Sequence, residues 1–187
     1  MGIFSGGQRR QFERLVKPLA RPLFHAALRL TRQTEWAEDL TQDTLIRAYE
    51  RFAQFAPGTN FRAWLFTIMT HIYLNDRERA RRRPLATASL DAAGEEGTSW
   101  EFPSHDIRHE PEAFLLAQVL DEELQAAVDR LPEEFRLAVL LVDVEEMSYQ
   151  EAAEALKVPI GTVRSRVSRG RAQLRQWLCR APNTSPS

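Results

Sequence analysis

The chain has 187 residues, 43% hydrophobic and 27% charged, a soluble globular composition with room for one ordinary domain or two small ones. No apolar run approaches the roughly 20 residues of a membrane helix, which argues against membrane insertion, and the lone cysteine, Cys179, excludes an internal disulfide framework or a cysteine zinc site. The net charge of −1 conceals segregation: residues 1–84 hold 15 Lys and Arg against 8 Asp and Glu, residues 85–160 hold 4 against 18, and residues 161–187 hold 6 against none. A basic front and a basic end around an acidic stretch suggest two polyanion-binding parts. The opening MGIFSGGQRR lacks a signal-peptide core, and Gly6 stands where a myristoylation motif needs Ser or Thr, so a cytoplasmic location is expected.

In chain order, helical periodicity runs from Phe12 to Leu30, interrupted near its start by Pro18 and Pro22. Thr34 is expected to cap a helix reaching about Gln54, with Glu35 in its first turn favouring the positive helix end. That helix would bury Thr41, Leu45, Ala48 and Phe52. Its other side would present Glu35, Asp39, Gln42, Asp43, Ile46 and Glu50, an acidic ridge with one exposed isoleucine. Such a ridge suits a basic partner helix, although a merely solvated face has the same pattern. A metal-dependent nuclease built on Glu38, Asp39 and Asp43 would need a second acidic cluster or a companion histidine motif, and the sequence offers neither.

The loop Phe55-Ala-Pro-Gly-Thr-Asn60 breaks the pattern before a helix from Phe61 to about Arg82, stopped at Pro84. Phe61, Trp64, Leu65, Ile68 and Ile72 form its core stripe, while Arg62, Phe66, Thr70, Tyr73 and Arg77 fall on a second arc. Rings interleaved with arginines suit a separated DNA strand, because bases stack on rings and phosphates meet guanidinium groups. The competing reading packs Phe66 and Tyr73 against the first helix. Arg77, Arg79, Arg81, Arg82 and Arg83 could hold the adjoining backbone with salt-sensitive affinity.

Residues 85–112 lose periodicity and read as a flexible acidic linker at a domain boundary. Helical spacing resumes at Ala113 and runs to about Arg130, and Pro132 with Glu133 and Glu134 starts another helix. No stretch alternates at a period of two. The expected fold is all-α: two small helical domains, 1–84 and 113–180, joined by the linker, with a disordered tail over 181–187.

The segment from Ser148 to Val163 reads as helix, tight turn, helix. Ser148 and Glu151 make a capping box, Lys157 to Gly161 supply the turn, and Thr162 can cap the second helix. At 100° per residue that second helix places Val163, Val167, Gly170, Leu174 and Leu178 on one stripe and Arg164, Ser165, Ser168, Ala172 and Arg175 opposite. Arg166, Arg169 and Arg171 lie on the flanks. An apolar back, a front of short hydrogen-bonding side chains and arginines at the sides are what a recognition helix in a major groove needs. An ordinary surface helix with an arginine-rich face is the alternative.

The stretch LPEEFRLAVLLVDVEEMSYQEAAEALKVPIGTVRSRVSRGRAQLR resembles the C-terminal domain of the extracytoplasmic-function sigma factors of bacterial RNA polymerase. The earlier stretch AEDLTQDTLIRAYERFAQFAPGTNFRAWLFTIMTHIYLNDRERARRRP resembles their N-terminal promoter-melting domain, and part of it is similar to the redox- and heat-stress subgroup. The resemblance implies that Asp39, Gln42, Asp43, Ile46 and Glu50 dock on the coiled coil of the polymerase's largest subunit, with a second contact at the flap. It implies that Pro57, Gly58, Thr59 and Asn60 capture an unstacked base of the minus-ten element, beside Arg62, Phe66, Tyr73 and Arg77. It assigns Thr162, Arg164, Ser165, Arg166, Ser168, Arg169 and Arg171 to the minus-thirty-five element. An anti-sigma factor is the further partner implied, and the connector would thread the RNA-exit region. Primary sigma factors melt DNA with two adjacent tryptophans, whereas this region has only Trp64.

A polymerase-independent helix-turn-helix regulator and a sigma mimic that titrates an anti-sigma factor are the competing functions. No catalytic triad, phosphate loop or metal cluster is visible, and His25, His71, His105 and His109 share no ligand spacing. The expectation is therefore a binding protein without cofactor or metal, not an enzyme.

Overall fold

The computed structural model describes residues 6–82 and 122–179; the linker, residues 113–121 and the tail lie outside them. Every regular element among the described residues is helical. The N-terminal unit holds α1 (Gly6–Val16), α2 (Ala20–Thr31), α3 (Thr34–Glu50) and α4 (Phe61–Arg82). The C-terminal unit holds α5 (Glu122–Arg130), α6 (Glu133–Val139), α7 (Tyr149–Leu156) and α8 (Ile160–Leu178).

Pro18 falls in the break between α1 and α2, where its missing N–H costs nothing, and Pro22 sits in the first turn of α2. Arg32 closes α2 in a left-handed conformation, its N–H donating to the Leu28 carbonyl, so α3 starts at once in a new direction. Thr34 does not cap α3 as expected. Gln33 occupies the cap position and its side chain makes no cap hydrogen bond, while the Thr31 hydroxyl contacts the Gln33 backbone. Nor does α3 reach Gln54. It ends at Glu50, and one tighter 3-10 turn over Phe52–Gln54 turns the Phe52 ring into the core.

There Phe52 meets Phe12 of α1 edge-on at 5.2 Å and Phe61 of α4 at 6.1 Å. This aromatic cluster ties α1, the turn and the start of α4 together. α3 packs against both α2 and α4. The hydroxyls of buried Thr31, Thr41, Thr44 and Thr70 each donate to the carbonyl four residues earlier, so the apolar core leaves none of them unpaired.

In the C-terminal unit Pro132 precedes α6, and Glu133 and Glu134 fill its first turn. α6 runs into a π turn over Leu140–Val144, closed by the Glu145 N–H on the Leu140 carbonyl at 2.9 Å. The inserted residue resets which way the following side chains face. Asp143 turns to α8 and Glu145 to the N-terminal unit. The capping box at α7 forms as read: Glu151 N–H donates to the Ser148 hydroxyl, and Ser148 N–H donates to the Glu151 carboxylate.

The turn into α8 departs from expectation. Lys157 takes the left-handed position at φ 53° that glycine usually fills, while Gly161 lies inside α8. Thr162 is the third residue of α8, within its first turn, rather than its cap, because Pro159 holds the cap position and the helix begins at Ile160. α8 packs on α5, α6 and α7, and α7 packs on α4, which joins the two units.

Candidate nucleic-acid interfaces

On α8 the back is apolar as expected: Val163, Val167, Gly170 and Leu174 are buried. Leu178, expected on the same stripe, is exposed at the helix end. The opposite face opens to solvent. Arg164, Ser165, Ser168 and Arg169 are exposed and Thr162 is half-exposed. The Arg164 guanidinium lies 5.9 Å from the Tyr149 ring centre, which steadies it over the turn. Two flanking arginines are tied down within the unit, Arg166 to Glu134 at 2.8 Å and Arg171 to Asp143 through paired bonds. They brace α8 as well as adding positive charge beside its exposed face.

The second candidate surface is built by α4 and the loop before it. Pro57, Gly58, Thr59 and Asn60 are all exposed. Gly58 turns the loop at φ 87°, a left-handed position that a side chain would strain, and the Thr59 hydroxyl donates to the Ala56 carbonyl at 2.7 Å. Asn60 caps α4, its Oδ1 accepting from the Ala63 N–H at 3.2 Å.

The rings of Phe66 and Tyr73 require a correction: Phe66 is 0% and Tyr73 1% exposed, so in this conformation neither offers a face to a base. Phe66 lies beneath the Arg62 guanidinium at 4.8 Å, and Tyr73 stacks on Trp36 of α3 at 5.8 Å. Their burial follows from α4 being covered on two sides, by α2 and α3 on one and by α7 on the other.

On α3 the ridge is as the sequence indicated. Glu35, Glu38, Asp39, Gln42, Asp43 and Glu50 are exposed, and Ile46 is 37% exposed among them. Although the Asp43 side chain reaches solvent, partial desolvation by its neighbours, with Asp76 and Asp39 adding to it and Arg47 opposing it, pushes its carboxyl above the ordinary value. Among the described residues no cluster of His, Cys, Asp and Glu could hold a metal ion, and no helix is long and apolar enough to cross a membrane.

Two family models match the chain in order, Sigma-70 region 2 over residues 15–83 and Sigma-70, region 4 over residues 121–174. It is 40% identical over 171 residues to the ECF RNA polymerase sigma factor SigE of Mycolicibacterium smegmatis, covering 90% of this chain and 62% of that one. It is 36% identical over 148 residues to the ECF RNA polymerase sigma factor EcfG of Rhodopseudomonas palustris, covering 79% and 74%. The chain belongs to the extracytoplasmic-function sigma factors. Among solved structures, the sigma factor RpoE of Bartonella quintana, crystallised with the anti-sigma factor NepR, matches with a TM-score of 0.64 at 27% identity over 92% of this chain and 99% of that one. CnrH, solved with the cytosolic domain of CnrY, matches with a TM-score of 0.60 at 25% identity over 91% and 89%.

What sequence reasoning missed in this sigma factor is the junction between its two units. Glu145, 4% exposed, accepts from Arg29 of α2 at 2.9 Å and from Arg62 of α4 at 2.7 Å. Burial pushes its carboxyl above the ordinary value despite both arginines. Glu133 accepts from Arg77 at 2.9 Å, from the Tyr73 hydroxyl at 3.1 Å and from Arg81. Burial alone would raise its pKa, but Arg77, Tyr73 and Arg81 together hold it below the ordinary value. Glu151 accepts from the Asn60 side-chain amide at 2.8 Å, and Arg32 pairs with Asp129 at 3.0 Å. The sequence places Glu133 at a helix start and Glu151 in a capping box and singles out neither Glu145 nor Asp129, because local spacing does not show that an acid faces the other unit.

Proposed function

We propose that this chain is the promoter-specificity subunit of a bacterial RNA polymerase, acting in the cytoplasm by binding rather than by covalent chemistry. The acidic ridge of α3, with Asp39, Gln42, Asp43, Ile46 and Glu50, docks on core polymerase. α8 enters the major groove of the minus-thirty-five element with Arg164, Ser165, Ser168 and Arg169 toward the bases. The loop from Pro57 to Asn60, with Arg62 and Arg77 behind it, engages the minus-ten strand. The functional modules are taken as 1–84 and 113–180, with 85–112 as the connector.

The observation that carries this reading is that a Sigma-70 region 2 match and a Sigma-70, region 4 match occur in order in one chain. An exposed polar front on α8 backed by a buried apolar stripe also suits a groove-reading helix better than a damaged sigma mimic. The RpoE and CnrH neighbours were solved with NepR and CnrY, which supports an anti-sigma protein as a further partner.

Run-off transcription from genomic DNA with core polymerase tests the proposal. Discrete start sites are expected only when this protein is added. Failure of the purified chain to associate with core polymerase, or no gain in start-site selectivity, would overturn it.

A further inference from the structure

Between the second half of α4, the start of α6 and the end of α7 lies a cleft of about 520 Å³, within the size range of small-molecule sites. It runs along α4 from His71 to Arg82, about 16 Å at 1.5 Å per residue. Its two ends differ in chemistry. His71, Leu74 and Asn75 give one end an uncharged wall, while Arg77, Arg81 and Arg82 bring three guanidinium groups to the other. Lys157 reaches the cleft from the α7 side. Against these four cations stand two carboxylates, Glu78 and Glu133.

The two acids do not use up the cations. Arg77 bonds Glu133 through Nε, Arg81 bonds it through one terminal nitrogen, and Arg82 bonds Glu78 in the same way. A guanidinium has five N–H donors, so each of the three keeps donors for an anion. Lys157 forms no ion pair among the described residues. It also holds a left-handed conformation, φ 53° and ψ 43°, which glycine adopts freely and lysine only at a cost. A long cationic side chain in such a position is strained in the way that binding sites often are.

We propose that this cleft binds a nucleoside di- or triphosphate, its phosphates on the arginines of α4, its base toward Leu74 and Asn75, and Lys157 closing on it from α7. The surplus of two positive charges calls for more than one phosphate, and the uncharged end calls for something other than phosphate. Arg77, Arg81 and Arg82 would also suit the backbone of a DNA strand. The bounded length and the uncharged wall favour a single nucleotide. A ligand held by α4 on one side and by α7 on the other stabilises the whole chain against unfolding.

The full-length chain is titrated with ATP and with GTP by calorimetry and melted with and without each, beside tripolyphosphate and a short oligothymidylate. At least one nucleotide is expected to bind one-to-one and to raise the melting temperature, with tripolyphosphate about tenfold weaker. Lys157→Gly and Arg81→Gln should each lose about tenfold in affinity, the size of one charge-assisted hydrogen bond. Glycine relieves the left-handed strain, so Lys157→Gly should melt no lower than wild type without ligand, and its loss of affinity is then not a loss of fold. Arg10→Gln, which removes an exposed arginine of α1, is the charge-matched control and should bind as wild type does.

No binding of either nucleotide overturns the site, as does full affinity in Lys157→Gly or an equal loss in Arg10→Gln. Tripolyphosphate binding as tightly as the nucleotides overturns the nucleoside assignment in favour of inorganic oligophosphate. Oligothymidylate binding more tightly than either nucleotide, and weakened by Lys157→Gly, gives the cleft to a nucleic-acid strand and overturns the proposal.

Discussion

Gly170 of α8 lies directly against Val139 at the end of α6: a Cβ placed on Gly170 would stand 2.6 Å from the Val139 Cγ2 methyl. Helix propensity would favour alanine there by about 1 kcal/mol. The contact opposes it, because Val139 is buried and a β-branched side chain has little rotamer freedom. Overpacking of this kind costs about 1–3 kcal/mol, so Gly170→Ala is expected to destabilise the C-terminal unit by about 1 kcal/mol in urea unfolding. Val139→Ala should relieve the clash, giving a double variant more stable than the sum of the single losses. Simple additivity would refute the close approach.

Ile46 should matter for binding and little for folding. It is 37% exposed on the acidic ridge of α3, so Ile46→Ala should leave stability within about 0.5 kcal/mol. As the apolar centre of a docking surface it should cost about 1–2 kcal/mol of affinity for core polymerase, measured by titrating the labelled chain. Undiminished affinity would move the docking surface elsewhere.

The arginines of α8 should divide into two kinds. Arg164 is exposed on the polar face of α8, so if that face reads bases as proposed, Arg164→Ala is expected to weaken upstream-element use by about 1–3 kcal/mol on promoters that carry its base. Equal loss on every promoter would make it a phosphate contact. Arg171 is bonded to Asp143, so Arg171→Ala should lower stability by up to about 1 kcal/mol, read as a lower unfolding midpoint even without DNA. Holoenzyme binding to promoters with altered upstream elements, set beside thermal melts, reads both.

Acid should loosen the junction through His71 first. Its Nε2 is buried without a hydrogen-bond partner, and burial, with Lys157 adding to it, holds its pKa below the ordinary 6.5. A histidine whose folded pKa is depressed supports the fold while both states are neutral, and that support is lost as pH falls through 6.5 toward the folded value. The stability difference between wild type and His71→Gln should therefore shrink on acidification from neutral pH, followed by urea unfolding. Glu133, held below its ordinary 4.5, adds a second loss at lower pH, because its support is present above 4.5 and disappears as it protonates. Glu145 works the other way: its raised pKa means that protonation in acid relieves a buried charge. A pH-independent difference for His71→Gln would exclude the histidine effect.

The capping box at Ser148, the buried stripe of α8 and the exposed ridge of α3 were legible because each depends on neighbours within one or two helical turns. Residues whose surroundings come from far along the chain were not. α4 has two apolar arcs, and spacing alone could not distinguish a ring waiting for a base from one that packs on Trp36, as Tyr73 does. Lys157 occupies a left-handed site where composition points to the nearby Gly161, and the π turn before Glu145 carries no short-range signal. The pairing of the junction acids carried no local signal because their partners are on the other unit, beyond the connector.

Asn60 divides its amide between two tasks. Its oxygen fastens the first turn of α4 through the Ala63 N–H, while its nitrogen reaches Glu151 across the junction. Because the two bonds use opposite ends of the group, the nitrogen can let go of one companion and take another without unravelling the helix behind it. The outward contact of the loop can thus change as a local event, at no cost in secondary structure.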